Sequence, residues 1–168
     1  MREVDGLNEE LVERGYGGRL RSDEPLSGYT SLRIGGPADL LIVTRELAEL
    51  GELIQVAQAA GVPSLVIGGG TNILVADAGV RGLVIVNACR GCSIDGQGLL
   101  TAQSGALLSK LSRRTVSQGW KGLEWAAGIP GTGFFRGMRI PLARPMAFAR
   151  GGPVSMPYWI CRKTLPRA

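Results

Sequence analysis

The sequence predicts an α+β fold in which short apolar strands are mixed with a few well-defined helices. Three observations lead to this class. In separate segments, apolar residues recur every three or four positions, which is the spacing of amphipathic helices. Between these segments lie apolar runs of only three to five residues, which suit buried strands. Turns rich in glycine and proline separate the runs, and the 168-residue chain shows no internal repeat.

Three segments carry the helical pattern. Residues 5–16 place leucines at helical spacing and end at a cluster of glycines. Residues 45–60 give the clearest amphipathic pattern, with Thr44 positioned to cap the first turn and Gly61 to end the helix. A third helix is predicted over residues 106–118.

Strands are predicted at the short apolar runs, which are residues 39–43, 64–67, 73–75, 83–86 and 99–103. Before the first of these strands, residues 25–36 are expected to be extended or looped. The run at 64–67 leads directly into a glycine triplet, and a further strand is expected after it. That order argues against a G-x-G-x-x-G dinucleotide site, because there the glycines open a helix.

The charge of the chain is unevenly distributed. The net charge is +5, yet all 14 acidic residues lie in residues 1–132, which are close to neutral. Residues 133–168 contain no acidic residue, and their basic residues are Arg136, Arg139, Arg144, Arg150, Arg162, Lys163 and Arg167. This basic tail leaves a nucleic-acid or membrane-surface binder as one alternative. No recognition motif accompanies the charge, so neither nucleic acid nor membrane is the expected partner.

The three cysteines, Cys89, Cys92 and Cys161, do not predict a metal site. Zinc would need further ligands beside the Cys-x-x-Cys pair, and the chain contains no histidine. A redox pair would need a helix N-terminus after the first cysteine to lower its pKa. Here the pair follows a strand in a turn, so two incidental thiols are expected.

The sequence gives no sign of a membrane span or a secretion signal. No uninterrupted apolar run reaches the roughly 18 residues that a span needs. The first residues combine no basic region with an apolar run and a cleavage site. The expected compartment is therefore the cytoplasm.

The strongest local signal for binding is the turn Gly68-Gly69-Gly70-Thr71-Asn72. Glycine allows positive φ and close approach of a ligand to the main chain. Successive amide N–H groups in such a turn form a concave site for anions, phosphate above all. The turn lacks the Gly-Lys-Ser/Thr ending of a Walker loop. From these residues alone it is either a phosphate-binding loop or a glycine-rich turn between two buried strands.

Two further pieces resemble backbone sites for anions. Ser104-Gly105 lies where a strand gives way to a helix, and free amides at a helix start attract anions. The other piece is a tight loop in which two glycines surround an Ile-Pro pair, made of Gly128, Ile129, Pro130, Gly131 and Thr132. Taken alone, that loop is an ordinary turn.

Together these pieces resemble a known family. The order is Y-T-S-L-R-I-G-G-P-A at 29–38, the glycine turn, Ser-Gly-Ala at 104–106, and G-L-E-W-A-A-G-I-P-G-T at 122–132. This series resembles the N-terminal part of the UDP-N-acetylenolpyruvoylglucosamine reductases of bacterial peptidoglycan synthesis. The resemblance covers about residues 7–132.

The resemblance implies an α+β, two-lobed FAD-binding domain of the vanillyl-alcohol oxidase type, incomplete in this chain. It implies FAD as cofactor, NADPH as co-substrate and a nucleotide-sugar substrate, and it implies no protein partner. The residues it assigns to FAD are Gly68, Gly69, Gly70, Thr71, Asn72, Ser104, Gly105, Gly128, Ile129, Pro130, Gly131 and Thr132.

The resemblance ends abruptly after Thr132. Members of the family continue with Val-Gly-Gly-Ala, whereas this chain continues with Gly133-Phe134-Phe135 and turns basic and proline-rich. We therefore expect the FAD-binding part to end at 132 and residues 133–168 to be out of frame or disordered. The substrate domain is expected to be absent.

The motifs in which the family carries its catalytic serine, arginine and glutamate do not occur in the sequence. These are Gly-Tyr-Arg-x-Ser, Gly-Ser-x-Phe-Lys-Asn-Pro and a C-terminal Glu-Val motif. No catalytic residue is therefore assigned, and the chain is expected to be inactive alone. The alternative from a different class is a non-catalytic module that binds FAD or another nucleotide.

Overall fold

The computed structural model describes residues 2–129 and 138–141, which form two β-sheets and their covering helices. The helices are α1 (Arg2–Glu13), α2 (Leu47–Ala59) and α3 (Leu108–Ser117). The strands are β1 (Arg21–Pro25), β2 (Pro37–Thr44), β3 (Ser64–Ile67), β4 (Val80–Asn87), β5 (Cys92–Ile94), β6 (Leu99–Ala102) and β7 (Met138–Pro141). Short 3₁₀ turns occupy Leu26–Tyr29 and Glu124–Ala126. The α+β class predicted from the sequence is confirmed.

The first sheet has the strand order β1-β2-β4-β3. Strand β4 lies between β2 and β3 and is parallel to both, while β1 pairs antiparallel with β2 at the edge. Because β2, β3 and β4 run in the same direction, their carboxyl ends meet at one edge of the sheet. Ligands of open α/β sheets bind outside such an edge.

Both faces of the first sheet are buried. Side chains alternate along a strand, so Leu40 and Ile42 point to one face of β2 and Leu41 points to the other. Helices α1 and α2 cover the first face with fully buried residues that include Leu11 and Leu53. The opposite face packs under the loops around Leu26 and Val75.

Polar contacts join α1 to α2 above this core. The guanidinium of Arg14 lies 2.8 Å from Glu10 and 3.2 Å from Glu52. The hydroxyl of Tyr16 donates to the second oxygen of Glu52 at 2.9 Å. Exposed ion pairs of this kind contribute little each, so the buried leucines set the position of α1.

The second sheet is antiparallel in the order β5-β6-β7. Helix α3 packs on it through Leu108 and Leu111, which meet Leu100 of β6 in a separate small core. Strand β7 pairs Met138–Pro141 with β6, although the sequence of this region shows no strand pattern.

The structure corrects several local expectations. Residues 73–75 form no strand; they run as an irregular segment that returns toward residues 35–37. The hydroxyl of Thr44 contacts the backbone of Glu46 rather than the free amides of the first turn of α2, which has no side-chain cap. Strand β1 was not predicted. In the part of the chain that the structure describes, no helix is long and apolar enough to cross a membrane.

Candidate functional site

A cavity of about 440 Å³ opens at the carboxyl edge of the first sheet. The glycine turn that follows β3 forms one wall, and Asn87, the last residue of β4, lies on another. The lining residues are Leu50, Ile54, Leu65, Val66, Ile67, Gly68, Gly69, Gly70, Thr71, Asn72, Ile73, Asn87 and Ser104. The structure thus brings together the glycine turn and Ser104, which are over thirty residues apart in the sequence.

The glycine turn is held in place by the segment around Tyr29. Gly70 has φ +60°, and a Cβ at this position would collide with the carbonyl oxygen of Tyr29. From the same segment, the backbone N–H of Ser31 donates to the Gly70 carbonyl at 2.9 Å, and the Ser31 hydroxyl lies 3.2 Å from that oxygen. Only glycine combines this φ with this approach.

Tyr29 is itself anchored by its phenol. Its hydroxyl donates to Oε1 of Glu24 at 3.0 Å, and Glu24 also pairs with Arg21 at 3.1 Å. Burial, followed by the bond to the Glu24 carboxylate, raises the pKa of Tyr29 above its ordinary value of 10.0. The phenol therefore stays neutral, and its bond to Glu24 holds the segment that supports the glycine turn against β1.

Ser104 lies on the wall beside β4, whereas the neighbouring Gly105 is buried and does not line the cavity. The Nδ2 of Asn87 donates to Ser104 Oγ at 2.8 Å, and the backbone N–H of Cys89 donates to Asn87 Oδ1 at 3.0 Å. A Cβ at residue 105 would lie 2.7 Å from Asn87 Oδ1 and 2.6 Å from the Cys89 nitrogen. Glycine at 105 is what allows the serine turn to reach Asn87.

The chemistry of the cavity is that of neutral donors. Its lining residues carry no ionised side chain. The polar groups on its walls are the backbone of the glycine turn, the hydroxyls of Thr71 and Ser104, and the amides of Asn72 and Asn87. Such a set suits phosphate and hydroxyl oxygens of a nucleotide, and the apolar side chains of α2 and β3 suit a flat ring. Among the described lining residues, no ionisable side chain lies beside the Thr71 and Ser104 hydroxyls to activate them.

The second glycine loop lies elsewhere in the described chain. Gly128 and Ile129 are exposed and do not line the cavity. Pro130, Gly131 and Thr132 lie outside the described residues. Their assignment to FAD stays a prediction.

Two of the cysteines are described, and both are free thiols. Cys89 is buried, and this burial, with smaller effects from the carboxylates of Glu46 and Glu49, raises the pKa of its thiol. It is therefore a protonated, unreactive thiol at neutral pH. Within residues 2–129 and 138–141, no group of three or more His, Cys, Asp or Glu could hold a metal ion. Cys161 lies outside the described residues.

Comparison with protein families places this architecture in a defined class. Residues 38–133 match the model of the FAD binding domain. That match includes β2, β3, β4, the glycine turn and the Ser104-Gly105 turn. The chain belongs to this FAD-binding family, and FAD is the cofactor that the family binds.

More particular relatives are the UDP-N-acetylenolpyruvoylglucosamine reductases. The chain is 48% identical over 112 residues to the reductase of Rubrobacter xylanophilus, covering 66% of this chain and 37% of that protein. The crystal structure of the reductase from Thermus caldophilus superposes with a TM-score of 0.51 at 34% identity, over 67% of this chain and 39% of that one. The resemblance seen in the sequence is confirmed.

The fold extends to more distant flavoenzymes. The 4-ethylphenol oxidase from Gulosibacter chungangensis superposes with a TM-score of 0.55 at 16% identity, over 70% of this chain and 25% of that one. At that identity the likeness concerns the fold alone, which is the FAD-binding fold of the vanillyl-alcohol oxidase type. In each comparison, this chain spans less than two fifths of the relative's own length.

The residues present fit a bound dinucleotide such as FAD. The turn Gly68–Asn72 lies on the cavity wall. Gly70 fixes its position, because a side chain there would collide with the Tyr29 segment on the side away from the cavity. The donor set suits a pyrophosphate, which binds to backbone amides without requiring a lysine or arginine.

Sequence reasoning missed Asn87, which connects the two predicted pieces of the site. The available signal was an asparagine directly after the apolar run of β4, at the edge where parallel strands end. Sequence reasoning also listed residues 29–38 as a motif without placing it. The structure shows that Tyr29 and Ser31 support the glycine turn from outside the cavity.

Proposed function

We propose that this chain provides the FAD-binding, N-terminal part of a UDP-N-acetylenolpyruvoylglucosamine reductase. The observation that carries the proposal is the uncharged cavity between Gly68–Asn72 and Ser104, inside the segment that matches the FAD-binding family. The named relatives are reductases of a UDP-linked enolpyruvyl sugar, which extends the proposal to that substrate. The family resemblance seen in the sequence adds peptidoglycan precursor synthesis and NADPH as reductant.

In this proposal the chain's residues bind and orient the cofactor. The flavin, when bound, supplies hydride transfer from NADPH to the enolpyruvyl double bond. The glycine turn provides amide donors for phosphate oxygens, and Ser104 provides a hydroxyl donor on the opposite wall. Leu50 and Ile54 of α2 keep water from one side of the cavity.

Turnover requires groups that the described site does not provide. The described cavity walls offer no ionisable acid or base beside the Thr71 and Ser104 hydroxyls, and no cation for a carboxylate. We therefore propose that the chain alone does not reduce the enolpyruvyl sugar. Nucleotide sugars and NADPH are cytoplasmic metabolites, and the proposed compartment is the cytoplasm.

The proposal includes a boundary after residue 132. The FAD-binding match ends at residue 133, which supports that boundary. The pairing of β7 with β6 is an observation against it, because four residues beyond the boundary belong to the second sheet. Limited proteolysis tests the boundary: a resistant core ending near 132 supports it, and one that includes 138–141 contradicts it.

A second candidate is a non-catalytic module that binds FAD or another nucleotide. A cavity whose described walls carry hydrogen-bonding and apolar groups but no ionisable side chain favours it. The two candidates differ in whether the bound flavin exchanges electrons with NADPH.

The experiment is a titration of the purified full chain with FAD, followed by flavin absorbance and fluorescence. We expect saturable binding with a shifted flavin spectrum. Absence of FAD binding would contradict both candidates. NADPH is then added without oxygen, and bleaching of the flavin band at a rate that saturates with NADPH favours the reductase part over the module. Addition of the enolpyruvyl sugar should yield no product, and substantial turnover would contradict the proposed inactivity.

A further inference from the structure

Asn87 has an orientation that hydrogen-bonding chemistry fixes. Its Oδ1 lies 3.0 Å from the backbone nitrogen of Cys89, and its Nδ2 lies 2.8 Å from Ser104 Oγ. A backbone N–H only donates, so the atom that faces Cys89 must be the carbonyl oxygen of the amide. The amide nitrogen therefore faces the serine, and the flipped arrangement would set two donors against each other.

The same chemistry fixes the role of the Ser104 hydroxyl. An amide NH₂ group donates and does not accept, so Ser104 Oγ is the acceptor in this pair. The one proton of the hydroxyl remains for another partner. Among the described residues Ser104 donates to no protein acceptor, and its side chain lines the cavity beside the glycine turn.

The surroundings keep this arrangement rigid. Asn87 is only 7% exposed, so water competes little for its amide. Gly105 lets the serine turn approach, since any Cβ there would crowd both Asn87 Oδ1 and the backbone of Cys89. Asn87 is the last residue of β4 and is paired with Thr44 of β2, so the backbone of Asn87 is held in the sheet.

We propose that Asn87 is a positioning residue that holds Ser104 as a hydrogen-bond donor toward an acceptor oxygen of FAD. The inference rests on the proposed function and adds to it a defined polarity on this wall. A ligand that presents an acceptor oxygen to Ser104 takes a proton that no described protein acceptor uses, whereas a ligand donor would have to share the serine oxygen with Asn87 Nδ2.

The test is a double-mutant cycle on FAD affinity in the full chain, with the dissociation constant measured by fluorescence titration. Ser104→Ala removes the donor, and Ser104→Thr keeps the hydroxyl. Asn87→Asp preserves the acceptor for the Cys89 N–H, but its second oxygen accepts from Ser104 and draws the serine proton away from the cavity. The fourth protein is the double variant Asn87→Asp/Ser104→Ala.

We expect Ser104→Ala to weaken FAD binding roughly tenfold and Ser104→Thr to keep it within about twofold. Asn87→Asp should weaken binding about tenfold more when Ser104 is present than when residue 104 is alanine. The new negative charge is present in both backgrounds, so its repulsion of phosphate cancels in the cycle. A merely structural role for Asn87 would give the same loss in both backgrounds.

Each outcome decides the proposal. Unchanged affinity in Ser104→Ala, or equal effects of Asn87→Asp in both backgrounds, overturns it while leaving the proposed function intact. Failure of the unaltered chain to bind FAD overturns the proposed function and this inference with it. Thermal unfolding without FAD checks each variant's fold. If Asn87→Asp does not fold, Asn87→Ala replaces it in the cycle, with a smaller coupling of the same sign expected and zero coupling overturning the proposal.

Discussion

The carbonyl oxygen of Tyr29 occupies the space that a Cβ of residue 70 would need. This relationship ties the glycine turn to a segment about forty residues earlier in the chain, and the two bonds from Ser31 to the Gly70 carbonyl reinforce it. Gly70 therefore has a structural role in the turn, separate from the FAD contacts predicted for the glycine triplet.

Gly70→Ala should destabilise the chain by about 2–4 kcal/mol, because the side chain meets a backbone carbonyl and the residue has positive φ. FAD affinity should fall as well, since the turn must move away from Tyr29. Urea unfolding and FAD titration measure the two effects.

Gly51→Ala is the matched control. Gly51 lies in the exposed face of α2, and a Cβ there meets nothing within 4 Å. Alanine should stabilise the chain by about 0.5–1 kcal/mol through its helix propensity and leave FAD binding unchanged. Equal effects of the two substitutions would contradict the contact between Gly70 and Tyr29.

Gly105→Ala should weaken FAD binding and lower stability by about 1–3 kcal/mol, because the methyl group pushes the serine turn away from Asn87. Gly128→Ala is the comparison within the predicted set of site residues. Among the described residues, no atom lies within 4 Å of a Cβ at 128, so the free energy of unfolding should change by less than about 0.5 kcal/mol.

The variants Gly105→Ala and Gly128→Ala distinguish a glycine that the fold requires from one that FAD binding requires. If Gly128→Ala keeps stability but loses FAD affinity, the second glycine loop contacts the cofactor directly, as the family resemblance implies. If it changes neither, that assignment is wrong. A stable Gly105→Ala variant with full affinity would contradict the structure of the serine turn.

The bond between Tyr29 and Glu24 predicts a dependence of stability on alkaline pH. The raised pKa of Tyr29 means that the folded chain favours the neutral phenol. This contribution is fully present below the ordinary pKa of 10.0 and is lost as pH rises through the higher folded value. Tyr29→Phe should cost about 1 kcal/mol at pH 8, and the difference from the unaltered chain should shrink above pH 10.

Comparing Tyr29→Phe with the unaltered chain at each pH cancels the contributions of the other titrating groups to the free energy of unfolding. Tyr16 and Cys89 also have raised pKa values, but both are present in the two proteins and cancel in the difference. The measurement is urea unfolding at several pH values. A difference that stays constant or grows above pH 10 would contradict the neutral, hydrogen-bonded phenol.

The helices and strands that could be predicted from the sequence are those in which the apolar pattern follows the period of a helix or a strand. Strand β3 begins and ends at the predicted residues. A four-residue apolar run between a helix and a glycine turn is too short for a helix and forms a buried strand. Residues 73–75 show where the pattern misleads. Val75 is buried against Gly35, yet Leu74 is 72% exposed, and the segment packs as a loop. Burial alternates there without a neighbouring strand to pair with.

Other features depend on contacts that no local pattern records. Strand β1 is polar, with the sequence Arg-Ser-Asp-Glu-Pro, and forms only because β2 offers an edge for pairing. The position of Asn87 after the apolar run of β4 marks it as a residue at the sheet edge, but its bond to Ser104 depends on a contact between segments seventeen residues apart. The glycine turn itself was predictable, because a cluster of glycines after a buried strand allows positive φ and a tight turn of the backbone.

The two described thiols should differ sharply in reactivity. In a Cys161→Ser background, a thiol-specific disulfide reagent should modify Cys92, which is partly exposed, within the first phase of reaction. Cys89 should react at least about a hundredfold more slowly, because it is fully buried and burial raises the pKa of its thiol. Further substitution of Cys92 by serine should abolish the fast phase, and addition of denaturant should make Cys89 react rapidly. A fast phase that survives in the Cys92→Ser variant would mean that Cys89 is accessible, and the turn that connects β4 to Ser104 through Asn87 would then open in solution.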